Sequence, residues 1–429
     1  MKPRIVSAII AALALAAPLA APLPASLSAE DAASFQLSGT VDPSASYARA
    51  NRESIYAAFQ GAADTSASGE IDGKLTFSRD YHGLGLLDFA LKDSALLDHS
   101  SGATLESISL TVNEFYGDLN FGDLAYLRLG KQRLSWGSGY VFNPSDPVNP
   151  PKDPTNQRAI LEGVPALKAE LIEKPVSLMA FAVLYDEFAE LGYGAKLSTS
   201  ALPQSDISLS GYWSPSQSWT GALNAAVAPL YAFPGWDTLQ VWGEGSVYGK
   251  GRYGALDADA SVPGADLVEE SEGVQWAVLC GASGTLPELR TVVLAECYYL
   301  SEGLSAAGLE SVYKALHSAD PAVVGASRDW YGELERRPGR QAKDYLFVSV
   351  DQSSVTDSGD PVLDKIGLSA SCLVNLADWS TYASAELSTA FVKDSSVDLT
   401  ASWARGESYT EFGNAPADFE LAFEVKVFF

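Results

Sequence analysis

The sequence predicts an all-β protein, a transmembrane antiparallel up-and-down β-barrel of about 18 strands, with 16 as the alternative count. Three observations carry this. Apolar and polar residues alternate with period two through most of the chain. Beyond residue 29 no apolar run is long enough for a helical span, although 47% of residues are hydrophobic and only 19% are charged. Finally, the segments between alternating stretches are long at one end and short at the other, as in barrels with outward loops and inward turns.

At the start, Lys2 and Arg4 precede an Ala- and Leu-rich run over 5–19, broken at Pro18, Pro22 and Pro24 and followed by small residues to Ala29. This reads as a cleaved secretory signal, 1–29, because the prolines leave too little apolar helix for an anchor. The segment 30–52 is then predicted as a periplasmic lead-in and 53–429 as the barrel. Period-two wall strands are predicted at 53–60, 68–78, 84–92, 105–116, 120–129, 165–172, 176–185, 191–198, 205–213, 219–228, 238–248, 274–282, 288–300, 345–352, 365–375, 381–392, 396–404 and 419–429. Counted back from the end, the long connections 93–104, 130–164, 249–273, 301–344 and 405–418 fall on one side. Short turns such as 117–119, 173–175, 283–287 and 393–395 fall on the other. The same parity makes 34–43, which also looks extended, part of the lead-in.

The last strand is the clearest. Phe419, Leu421, Phe423, Val425, Val427 and Phe429 alternate with Glu420, Ala422, Glu424, Lys426 and Phe428, giving a greasy face and a mostly charged one. A closing amphipathic strand ending on Phe resembles the C-terminal signal of bacterial outer-membrane β-barrels. The resemblance implies an outer-membrane location and an insertion signal at Phe423, Val427 and Phe429. It implies outer-membrane lipids, lipopolysaccharide or its equivalent, and the barrel-assembly machinery as partners. Trimers and monomers are equally compatible with the sequence.

A formal net charge of −26 argues against nucleic-acid partners, since phosphate contacts need clustered Lys and Arg. Three cysteines cannot form a fully paired framework. Cys280, Cys297 and Cys372 each share phase with apolar residues of the predicted lipid face, so they read as small hydrophobes. The three histidines, His82, His99 and His317, have no in-phase Ser or Asp partner, so no catalytic site is expected. No cofactor or metal is expected; the acidic residues around Asp257 and Glu270 match no Ca²⁺ loop pattern.

About eighteen strands enclose a lumen too wide for side chains to fill, so water or an inserted loop must occupy it. Arg128, Gly130, Lys131, Gln132, Arg133, Trp136 and Gly137 leave a strand and enter a loop stiffened by Asn143-Pro144 and Asn149-Pro150. This run is similar to the strand-to-loop segment of porin-like barrels, alginate-export-type channels among them. The resemblance implies a channel. A proline-stiffened loop of this length can fold inward, so 130–164 is the candidate constriction. Arg128, Lys131 and Arg133 are candidates for its positive side, with Glu244, Glu296, Glu386 and Asp398 opposite; the competing role for all seven is to anchor the loop. Small hydrophilic solutes are the expected cargo. The alternative is a plugged barrel whose outward loops bind surface polysaccharide or a host ligand. In the loop 301–344, Ser305 is predicted to cap a helix with Leu309, Val312, Tyr313 and Leu316 on one side, packed over the barrel mouth. Arg328, Arg336, Arg337 and Arg340 follow as a basic patch offsetting an acidic rim.

Overall fold

The computed structural model describes residues 35–55, 65–81, 85–100, 108–112, 114–134, 136–156, 161–185, 190–228, 235–251, 254–256, 268–270, 273–318, 320, 323, 328–337, 339–355, 359, 363–390 and 394–428. Its strands are β1 (Phe35–Ala50), β2 (Thr65–Tyr81), β3 (Gly85–Ser100), β4 (Ile108–Val112), β5 (Phe115–Phe121), β6 (Ala125–Gln132) and β7 (Val164–Glu173). These are followed by β8 (Val176–Tyr185), β9 (Glu190–Thr199), β10 (Ser205–Ser214), β11 (Ser218–Val227), β12 (Thr238–Tyr248), β13 (Gly254–Leu256) and β14 (Val268–Glu270). The last third contains β15 (Gln275–Leu286), β16 (Thr291–Leu300), β17 (Asp344–Gln352), β18 (Ile366–Asn375), β19 (Thr381–Thr389), β20 (Ser395–Arg405) and β21 (Ala417–Phe428). Two helices, α1 (Ala306–Leu316) and α2 (Arg328–Glu335), lie between β16 and β17.

Nineteen strands form one sheet, and β13 pairs with β14 in a separate hairpin. All ladders are antiparallel between chain neighbours, with β1 joining β21 to β2. The hydrogen-bonded ladder thus runs from β4 through β3, β2, β1 and β21 back to β5. The sheet is not closed by hydrogen bonds among the described residues: β5 lies alongside β3, with no ladder between them. Among the described residues no helix is long and apolar enough to cross a membrane.

Alternation along those strands produces two unlike faces. Leu129, Leu167, Leu209, Leu223, Trp276, Val278, Leu368, Leu387 and Phe423 project from the outer face as exposed apolar side chains. Ser246, Glu244, Glu296, Ser349, Asp398 and Ser402 point inward and are buried. Cys280 and Cys297 are exposed on the outer face, and both they and Cys372 are free thiols.

Several expectations are corrected. The segment predicted as a lead-in is a wall strand: Ala45 pairs with Phe423 on one side and Gly69 on the other, since the closing strand β21 has a backbone edge that needs a partner. Residues 53–55 of the strand predicted at 53–60 belong to the turn that follows β1, and 56–60 lie outside the described residues. The outward loop predicted at 93–104 begins later, because β3 runs to Ser100 in register with β2 and β4. The turn predicted at 117–119 is strand: Asp118 pairs with Arg128, and the chain reverses at Gly122, whose φ of +63° suits glycine. Residues 1–29 and Phe429 lie outside the described residues.

Gly130 occupies φ +133°, where an added Cβ would come within 2.7 Å of the Tyr116 Cα and closer still to the Phe115 carbonyl oxygen. Gly130→Ala is therefore expected to destabilise the folded protein by about 1–3 kcal/mol, read as a lower urea midpoint in lipid vesicles.

Candidate constriction site

The connection from β6 to β7, residues 133–163, folds against the inner face of the sheet. Its backbone N–H groups have no strand partner there, and buried N–H groups require acceptors. Two inward carboxylates supply them. Glu244 on β12 accepts from the N–H groups of Ser138 and Gly139 (2.5 Å for Gly139) and from Ser145 Oγ at 2.8 Å. Glu296 on β16, fully buried, accepts from Tyr140 N at 2.5 Å, Val141 N at 2.8 Å, Phe142 N at 3.3 Å and Trp242 Nε1 at 3.0 Å. Charge-assisted bonds of this kind are stronger than neutral ones, so five successive amides are pinned to the wall.

The loop braces itself through the Asn-Pro steps. Asn149 grips Leu134 twice, accepting from its N–H at 3.1 Å and donating to its carbonyl at 2.6 Å. Asn143 Nδ2 donates to the Trp136 carbonyl at 3.0 Å, and Asp146 Oδ1 accepts from Val148 and Asn149 N–H groups. Gly137 has φ +64°, and a Cβ there would lie 2.6 Å from Glu244 Oε1. Apolar packing completes the seat. Trp136 and Val148 join Met179, Phe181 and Tyr212 on the wall of β7 to β10, while Phe142 stacks on Tyr298 at 4.4 Å between centroids.

A cavity of about 400 Å³ lies beside this loop, lined by Arg133, Lys152 and Arg340 together with Glu114 and Asp146. Lys152 Nζ donates to the carbonyls of Gly139 at 2.8 Å and Tyr140 at 2.9 Å. Burial draws its amine below the usual lysine range, and Glu296 and Glu244 partly oppose that. The Arg340 guanidinium donates to the Lys152 carbonyl and lies 5.8 Å from the Phe142 ring. Tyr140 is half-exposed; burial raises its hydroxyl pKa, with the carboxylates Asp351, Glu296 and Glu386 adding to the effect.

The sequence-derived candidates divide. Glu244, Glu296 and Arg133 meet at the loop. Arg128 instead forms a two-pronged pair with Asp118, Nε at 2.5 Å and Nη2 at 2.6 Å, with its guanidinium 3.9 Å over the Tyr116 ring. Lys131 pairs with Glu162. Asp398 on β20 faces Lys426 at 3.3 Å, and Glu386 on β19 is placed opposite Ser369 and Thr400. Val427 and Phe423 are exposed on the outer face of β21. Lys152 carries no distinguishing signal in the sequence, and Arg340 belongs to the basic patch expected at the rim. Arg337 and Arg340 are in fact buried, because the segment after α2 folds down onto the loop instead of onto an exposed rim. The α1 stripe is as predicted: Ser305 caps Gly308 N at 3.2 Å, and Leu309, Val312, Tyr313 and Leu316 are buried with Trp330 and Leu334. His317 Nε2 lies 2.7 Å from Asn414 Oδ1. Among the described residues no cluster of metal-ligating side chains occurs.

An all-antiparallel up-and-down sheet, apolar outside and polar inside, with a long loop seated on its inner face, defines a porin-like barrel of the bacterial outer membrane. Solved structures agree on the fold. Acinetobacter baumannii OccAB1 is similar at TM-score 0.56 with 13% identity, over 94% of this chain and 99% of that one. Pseudomonas aeruginosa OccK5 (OpdH) gives 0.55 with 9% identity over 92% and 98%. The outer membrane protein OprD from the same organism gives 0.53 with 9% identity over 92% and 93%. No family model and no curated protein matches the sequence. The apolar outer face is the one such a barrel turns to lipid.

Proposed function

We propose that this protein is a channel for small hydrophilic solutes. In this reading β4 and β5 are one interrupted wall strand, the ring has eighteen members, and 130–164 narrows the lumen. The single supporting observation is the seating of the loop backbone by Glu244 and Glu296 on the inner face of the sheet, which is where this reading needs its constriction. Arg133, Lys152 and Arg340 beside it suit a solute carrying a carboxylate. A similar structure, Pseudomonas aeruginosa OccK2 (OpdF), was solved in complex with glucuronate, TM-score 0.56 at 10% identity. Residues 1–29 are removed on export, and Phe423, Val427 and Phe429 present the finished strand to the assembly machinery. Lipopolysaccharide surrounds the outer face.

A second reading draws on the buried apolar cluster of α1, α2, Phe142 and Phe412 at one end of the sheet, which suits a plugged barrel with ligand-binding loops. Planar-bilayer recording separates the two. Discrete single-channel steps are expected, with a reversal potential in a salt gradient reporting selectivity. Absence of conductance in protein with native heat-modifiable mobility would overturn the channel reading.

A further inference from the structure

The connection 406–416 is tied to three other connections at the same end of the sheet. Asn414 receives Ser54 Oγ on its carbonyl at 2.7 Å, and Asn51 Nδ2 donates to the Gly413 carbonyl at 2.7 Å, both from the β1–β2 connection. His317, after α1, approaches Asn414 Oδ1 at 2.7 Å. Because Asn414 Nδ2 donates to the carbonyls of Ser408 and Thr410, Oδ1 is the acceptor and His317 Nε2 carries the proton in either charge state. From the β18–β19 turn, Asp378 Oδ2 accepts from Glu411 N at 2.8 Å and Ser380 Oγ accepts from Phe412 N at 3.2 Å.

At the centre of these ties is one carboxyl group. Glu411 is 4% exposed; its Oε2 accepts from Tyr345 Oη at 2.6 Å and Asn375 Nδ2 at 2.8 Å, while Oε1 is buried without a well-formed hydrogen bond and the Gln341 backbone N–H adds only a weak pull towards ionisation. The ionisable groups acting on it are Tyr345 and the carboxylate Asp378. Across the adjoining cavity of about 220 Å³ the other charged lining residue is Glu420. Among the described residues no cation acts on this group, and a lone buried carboxylate is costly.

We infer that 406–416 is a proton-operated flap over the mouth of the barrel, seated while Glu411 is neutral and released when Glu411 ionises. Burial, the largest cause, with the Asp378 charge adding to it, pushes the Glu411 carboxyl up to about 8 from 4.5. Between those values the seated flap holds a proton that the released flap has lost. Seating therefore weakens as pH rises from about 4.5 to about 8 and is constant above that.

The test is amide hydrogen exchange of 406–416 in the full-length protein in lipid, compared at each pH with Glu411→Gln so that the intrinsic pH dependence cancels. The wild-type flap is expected to exchange like the variant at pH 5 and at least tenfold faster at pH 8.5. A ratio that stays constant over this range would overturn the inference. Should Glu411→Gln fail to fold, the wild-type protein retains a direct readout: an infrared carbonyl band of a protonated carboxylic acid at pH 6.5 that disappears by pH 9.5, and whose absence at pH 6.5 is equally fatal. Neither measurement requires current. Loss of conductance would count against the channel reading alone, whereas a pH-independent flap in a conducting protein would count against the flap.

Discussion

Glu296→Ala is expected to unseat the loop between β6 and β7. Four donors, the N–H groups of Tyr140, Val141 and Phe142 and Trp242 Nε1, converge on this one carboxylate. Removing it strands them against a wall packed with Leu279 and Tyr298. Orphaned buried donors of this kind weaken the seated state by about 3–5 kcal/mol. Bilayer recordings should show a severalfold rise in conductance with long open flickers, while heat-modifiable mobility stays native because the strand ladders are untouched. Glu296→Gln is the milder companion: it retains an acceptor but loses the charge and turns donor atoms towards the loop. Since Glu244 holds the neighbouring amides of the same loop, Glu244→Ala and Glu296→Ala should be strongly non-additive. An unchanged conductance in the double variant would remove the loop from the permeation path.

The second large effect concerns Phe142. Its ring is fully buried, stacked on Tyr298 with planes 11° apart and tilted against Tyr345 at 5.9 Å. Phe142→Ala leaves a void beside rigid aromatic rings and is expected to cost the seated loop about 3–5 kcal/mol. Amide exchange over 138–146 should accelerate by roughly two orders of magnitude or more, in keeping with that free energy. Phe142→Leu should recover about half of the loss. Equal protection in all three proteins would show that the backbone bonds to Glu244 and Glu296 hold the loop unaided.

The seating also separates the charged residues that the sequence groups together. Glu244 and Glu296 are saturated by loop amides, whereas Arg133, Lys152 and Arg340 still face the cavity. Arg128 is held by Asp118 on the neighbouring strand, an arrangement that the sequence at 117–119 conceals because Gly117 and Asp118 imitate a turn.

Alternation decides which face of a strand each side chain takes, since successive Cβ atoms point oppositely whatever the surroundings. That is why the inward phase of Glu244, Glu296 and Asp398, the outward phase of Cys280 and Cys297, and the capped apolar stripe of α1 were all legible in the sequence alone. The partnership of β1 with β21, the true reversal at Gly122, and the convergence of Lys152, Arg340 and Glu411 on sites far apart in the chain were decided only by the tertiary structure. Each depends on which backbone groups lack a partner once the sheet has curled, and a free N–H or a buried carboxylate is defined by the atoms around it.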